Sequence, residues 1–117
     1  MESLFTTKHS NKRSKEDVIK KLLDLINDEL EDAMTYAEKA VKCKATHPEM
    51  AEMFFSLSLD ELKHKGMLQN HLQRAVKECA EKYPEKAEAV HMLYDFETDR
   101  NVSWENSIRQ YQTMYRE

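Results

Sequence analysis

Asp60-Glu61-Leu62-Lys63-His64 lies near the middle of a stretch that contains no proline between Pro48 and Pro84. At about 100° per residue, Met50, Phe54, Leu57, Leu68, Leu72, Ala75 and Cys79 all fall within about 40° of Glu61 on a helical projection. The segment therefore reads as a long amphipathic helix with a carboxylate in the centre of its apolar stripe. An ionised carboxylate in such a place needs a proton, a cationic neighbour or a metal ion, because burying it alone is too costly.

The rest of the chain extends the helical reading. Its 117 residues fit one domain, and a 34% charged, 40% hydrophobic composition describes a folded, soluble chain. One Gly and two Pro leave few places to turn, and Glu, Lys, Leu, Met and Ala favour helix. The expected class is all-α, with strands not expected. No apolar run has signal-peptide or membrane-span length, so a cytoplasmic location is expected. A net charge of -4 gives no general case for nucleic acid or an acidic membrane surface. The one basic patch, Lys8 to Lys15, falls in a polar leader, residues 1–13, that reads as a disordered arm.

Ser14 and Asp17 read as a cap and acidic first turn, opening a first helix that runs to about Lys44. Its apolar face holds Val18, Ile19, Leu22, Leu25, Ile26, Ala33, Tyr36, Ala37 and Ala40. Glu29 lies inside that face, and Glu31 points about 160° away from it. Thr46, with Glu49 completing a capping box and Pro48 in the first turn, opens the second helix. Lys82-Tyr83-Pro84 makes the second turn. A third helix from about Glu85 carries Val90, Tyr94, Trp104, Ile108, Tyr111 and Tyr115, with a break expected over 98–103 and Ser103 as a new cap. Trp104, Tyr111 and Tyr115 are expected to hold this helix to the bundle or to a partner. Met34, Met50, Met53 and Met67 read as gap fillers of the core. Cys43 and Cys79 fall near opposite ends of the hairpin and read as separate thiols.

Antiparallel helices place residues equally distant from their turn at one level. Glu29 and Glu61 each stand 16 residues from Ala45, so two core-facing carboxylates meet, with His64 one turn beyond Glu61. Carboxylate and neutral imidazole suit iron and manganese, and Glu and His at i, i+3 project from one helix face. Rods of about 30 residues are about 45 Å long, and three of them make a thin layer with open seams. A homodimer would close the seams. A two-fold axis at this level would then assemble four carboxylates and two imidazoles around two divalent ions, the pattern of carboxylate-bridged dinuclear sites in helical bundles. Without metal, each close carboxylate pair costs up to about 4 kcal/mol at an effective dielectric near 20. A second Glu-x-x-His, Glu88 to His91, has no evident partner acid and reads as surface or as a weak second site. His71 reads as a polar edge residue near Tyr94.

Asp28-Glu29-Leu30-Glu31-Asp32-Ala33-Met34-Thr35-Tyr36, followed by Asp60-Glu61-Leu62-Lys63-His64, resembles the ferritin-like superfamily, particularly rubrerythrins and the short encapsulated ferritins. The matching pattern is a Glu, a Tyr seven residues later, and Glu-x-x-His about thirty residues on; it spans about residues 20–76. The resemblance implies a ferritin-like domain over 14–117, a long antiparallel hairpin plus a C-terminal helix whose bundle is completed by dimerisation. It implies metal ligation by Glu29, Glu61 and His64, two iron ions per dimer with manganese as an alternative, and ferroxidase or peroxide-reducing chemistry with oxygen or peroxide as oxidant. Tyr36 would then be a second-layer donor around the metal or a packing residue, and Glu31 and Asp32 an ion-entry patch or solvated acids. The chain departs from the family in three places: the third helix supplies no second ligand set, no cysteine-rich electron-relay domain is present, and residues 110–117 carry no recognisable shell-targeting pattern. The alternative is a metal-free dimerisation module that binds a partner through its third helix, with Glu29 and Glu61 protonated, hydrated or salt-bridged, for example to Lys65.

Overall fold

A computed structural model describes the backbone of residues 8–117, with side chains from Lys15 onward. Three helices follow one another: α1 (Lys8–Cys43), α2 (Pro48–Lys82) and α3 (Ala87–Arg116), with a short 3-10 turn at Pro84–Lys86 before α3. No strand occurs among the described residues. α1 begins at Lys8, six residues ahead of the expected cap at Ser14. Extending a helix that packing already holds costs far less than starting one, so a polar stretch without Gly or Pro simply prolongs α1. Residues 1–7 of the expected leader lie outside the described residues.

The α1–α2 turn is tight. The backbone amides of Thr46 and His47 both donate to the Cys43 carbonyl, at 3.1 and 2.7 Å, and the His47 carbonyl receives the amide of Ala51 at 2.9 Å. Pro48 occupies the first turn of α2, where a missing N–H costs nothing. The expected capping box does not form. The residue at the cap is His47, with no side-chain cap, and the Thr46 hydroxyl hydrogen-bonds His47 Nδ1 at 2.9 Å instead.

α1 buries Ile19, Leu23, Ile26, Leu30, Ala33, Ala37 and Ala40. The buried row is rotated from the expected one: Leu23 and Leu30 enter the core, whereas Val18 and Leu25 are exposed. The cause is α3, which packs on one side of the hairpin and draws the core toward itself. Ala33 and Ser58, both fully buried, join the arms of the hairpin, and the Ser58 hydroxyl donates to the Ala33 carbonyl at 2.8 Å. Gln112 of α3 in turn donates to the Ser58 hydroxyl at 2.9 Å, so one buried chain of hydrogen bonds links all three helices. Trp104, Tyr94 and Tyr111 pack against the core, and Tyr115 stacks on Phe55 at 4.7 Å.

α3 runs unbroken through 98–103. Asn101 is buried there rather than marking an interruption, and tertiary packing overrides the weak helix propensity of this stretch. The three rods form a slab with extents of 59 × 31 × 15 Å. So flat a body leaves one broad side of the α1–α2 hairpin uncovered, with Val18, Leu25, Met50 and Met53 in the open. Met50, Met53 and Met67 are thus not core fillers; Met34 alone of the four packs against the core. Among the described residues no helix is long and apolar enough to cross a membrane. Cys43 and Cys79 are free thiols.

Candidate metal centre

Glu29, Glu61 and His64 are brought together by the hairpin register. α1 places Glu29 beside its buried row, between Ile26 and Ala33 and one residue before Leu30. α2 runs antiparallel from the turn and delivers Glu61 to the same level, one residue before buried Leu62. His64, one turn farther along α2, lies over both carboxylates.

The contacts are close. His64 Nδ1 is 3.0 Å from Glu29 Oε2 and 2.9 Å from Glu61 Oε1. One donor atom from each of the three residues lies within 4.8 Å of the other two. The carboxylates are largely shielded, with side-chain exposures of 21% for Glu29 and 15% for Glu61, while His64 is 55% exposed. The cluster opens on the uncovered side of the hairpin. About two turns along each helix, seven residues from Glu29 and from Glu61, Tyr36 stacks on Phe54 at 6.1 Å, and the Lys39 ammonium sits 5.5 Å from the Phe54 ring.

The electrostatics describe a site short of positive charge. Burial pushes the Glu61 carboxyl up, and the Glu29 charge and the Asp32 carboxyl add to the rise, against the opposing pull of His64. Hydrogen bonding to Glu61 holds the His64 imidazolium above the usual histidine range, with Glu29 reinforcing it and burial opposing. A single Nδ1–H is thus shared between two carboxylates. Replacing that proton by a divalent ion gives all three groups one partner, which is the chemistry neutral imidazole and carboxylate share with iron and manganese. The donor set fits such an ion.

Other candidates sort away from the centre. Lys65, the expected cationic partner in the metal-free alternative, pairs with Glu105 of α3 at 3.0 Å. The ion pairs of the described lysines and arginines all lie elsewhere, with Lys63 on Asp60, Lys86 on Glu16, Arg100 on Glu97 and Arg109 on Glu105. His71 is exposed and bonded to Arg74 at 3.1 Å; Tyr94 meets Gln69 instead, receiving its amide at 3.0 Å. Glu88 and His91 are exposed, and no second three-donor group forms among the described residues. Glu31 is exposed on the far side of α1. Asp32 is also exposed, and its carboxyl adds to the rise of the Glu61 carboxyl. The sequence carries a signal for it: Asp32 follows Glu29 by three residues, as His64 follows Glu61.

Comparison with known proteins returns no matching family model, no matching curated protein and no matching solved structure.

Proposed function

We propose that this chain is a ferritin-like metal protein whose two-fold homodimer assembles a di-iron or iron/manganese centre from Glu29, Glu61 and His64 of both copies. The observation that carries the proposal is the convergence of two shielded carboxylates, from two helices, on one imidazole nitrogen at an open apolar face. Four carboxylates would meet two divalent ions there, balancing four negative charges with four positive ones. Ferrous iron is the substrate in this reading: two ions release two electrons, enough to reduce peroxide to water or dioxygen to peroxide. Glu29 and Glu61 hold the ions, and His64 gives up its Nδ1 proton to bind. Val18, Leu25, Met50 and Met53 supply apolar surface for the second copy.

The test is self-association measured by analytical ultracentrifugation, with and without anaerobic ferrous ion. Parent protein should dimerise more tightly with metal, because binding to the assembled state stabilises it by mass action. Glu61→Ala and His64→Ala should lose that response. Identical behaviour with and without metal would count against the proposal.

A second reading draws on α3. Met92, Leu93 and Phe96 are exposed on it, a surface that suits a metal-free interaction module, and that module would self-associate without responding to metal.

A further inference from the structure

We propose that Ser58 is a positioning residue of the centre: its hydroxyl, held from α3 by Gln112, fixes the register of α1 against α2 so that Glu29 and Glu61 reach one divalent ion together. This rests on the metal-binding reading above. An ion held by Glu29, Glu61 and His64 takes donors from two helices, so its fit depends on how those helices lie along each other. Ala33 follows Glu29 by four residues and Ser58 precedes Glu61 by three, which places the bond between them about one helical turn from the centre on both arms. There the Ser58 hydroxyl gives its one proton to the Ala33 carbonyl at 2.8 Å and receives the Gln112 side-chain amide at 2.9 Å.

A serine inside a helix has the carbonyl four residues earlier as a local partner, and Ser107 uses it, reaching the Ser103 carbonyl at 3.4 Å. Ser58 crosses to α1 instead. The turn half of the hairpin is otherwise filled by alanine, with Ala33, Ala37, Ala40 and Ala51 fully buried. One more alanine in place of Ser58, beside an apolar residue in place of Gln112, would pack there without two buried polar groups to satisfy. Apolar contacts hold helices together but let them slide, being non-directional. A hydrogen bond is directional, and this one stops the slide within a turn of donors that must be held to about 0.5 Å. Because Gln112 belongs to α3, the seating of α3 also bears on the centre.

The probes are manganous ion, with free ion counted by electron paramagnetic resonance, and cobaltous ion, whose visible absorption reports donor geometry. Ser58→Ala should weaken manganous binding by about 10-fold, the scale for residues that orient ligands, and alter the cobaltous spectrum, with helicity by circular dichroism unchanged. Ser58→Thr, which keeps a hydroxyl, should recover both readouts. Gln112→Met leaves the bond to Ala33 and should move both in the same direction by less; it decides alone where Ser58→Ala does not fold. Ile19→Val trims a buried side chain ten residues, about 15 Å, from Glu29 along α1, and should stay within about two-fold of parent. Parent-like affinity and spectrum in Ser58→Ala, or in Gln112→Met where it stands alone, would overturn the role of Ser58, as would an equal loss in Ile19→Val or no recovery in Ser58→Thr. Binding that survives Glu61→Ala would overturn both this role and the metal centre beneath it.

Discussion

Lys65 and Glu61 stand one turn apart on α2 with nearly the same shielding, at 14% and 15% side-chain exposure. Lys65 turns toward α3 and meets Glu105, which Arg109 also holds at 2.7 Å. Glu61 turns toward the open side and meets another carboxylate and a histidine. On the α3 side, then, charges are matched and the polar groups of Ser58, Gln112, Gln69 and Tyr94 are joined in hydrogen bonds. On the open side, like charges are held together. The difference teaches that shielding by itself says little about purpose, since the partner decides whether a charge stabilises the fold or waits for a ligand.

The largest test of this contrast uses two adjacent residues. Leu30→Ala empties a fully buried position and should cost about 2–5 kcal/mol in chemical denaturation. Glu29→Gln, one residue away, should leave the metal-free protein unchanged or more stable by under about 1 kcal/mol, because it removes a repulsion. A cost for Glu29→Gln as large as that of Leu30→Ala would erase the contrast.

Glu105→Gln should be intermediate, at about 1–3 kcal/mol, since Lys65 then keeps its shielded charge without a matching carboxylate. Its pH dependence gives a sharper reading. Burial alone would raise the Glu105 carboxyl, but hydrogen bonds from Lys65 and Arg109 and their charges bring it below the ordinary range. A depressed folded pKa contributes stability above the unfolded carboxylate pKa and loses it as pH falls through the folded value. Glu61 has the opposite sign. Its folded pKa is raised, so its ionisation weakens the metal-free fold at neutral pH, and that penalty lifts as pH falls through the folded value. Denaturation curves between neutral and acid pH should therefore fall less steeply for Glu105→Gln than for parent, and more steeply for Glu61→Gln. Changes in slope of the same sign, relative to parent, for the two variants would contradict the assignment.

The smallest effect should come from the apolar residues of the open side. Met53→Ala, at a position 48% exposed, should change the stability of a single chain by no more than about 0.5 kcal/mol. It should nevertheless weaken metal-linked self-association in the ultracentrifuge, and an effect on folding alone would place Met53 in the wrong role.

The hairpin and the meeting of Glu29, Glu61 and His64 were legible in the sequence for one reason. A single tight turn between two uninterrupted helices fixes which residues face each other. Where a third body intervenes, local reasoning lost its hold. Leu23 and Leu30 lie off the stripe drawn for α1 alone, and became core because α3 covers that side. Asn101 reads as an interruption of α3 until its burial is seen, and Thr46 reads as a cap although its hydroxyl is engaged by His47. Asp32 reads from sequence as part of an ion-entry patch or as a solvated acid, and the structure leaves it exposed.

The most direct test of the central claim is iron bound per chain after anaerobic loading with ferrous ion, for parent protein and Glu61→Ala. A centre shared across a two-fold axis predicts about one iron per chain in the parent and none above background in the variant. Two irons per chain, or equal binding by parent and variant, would contradict it.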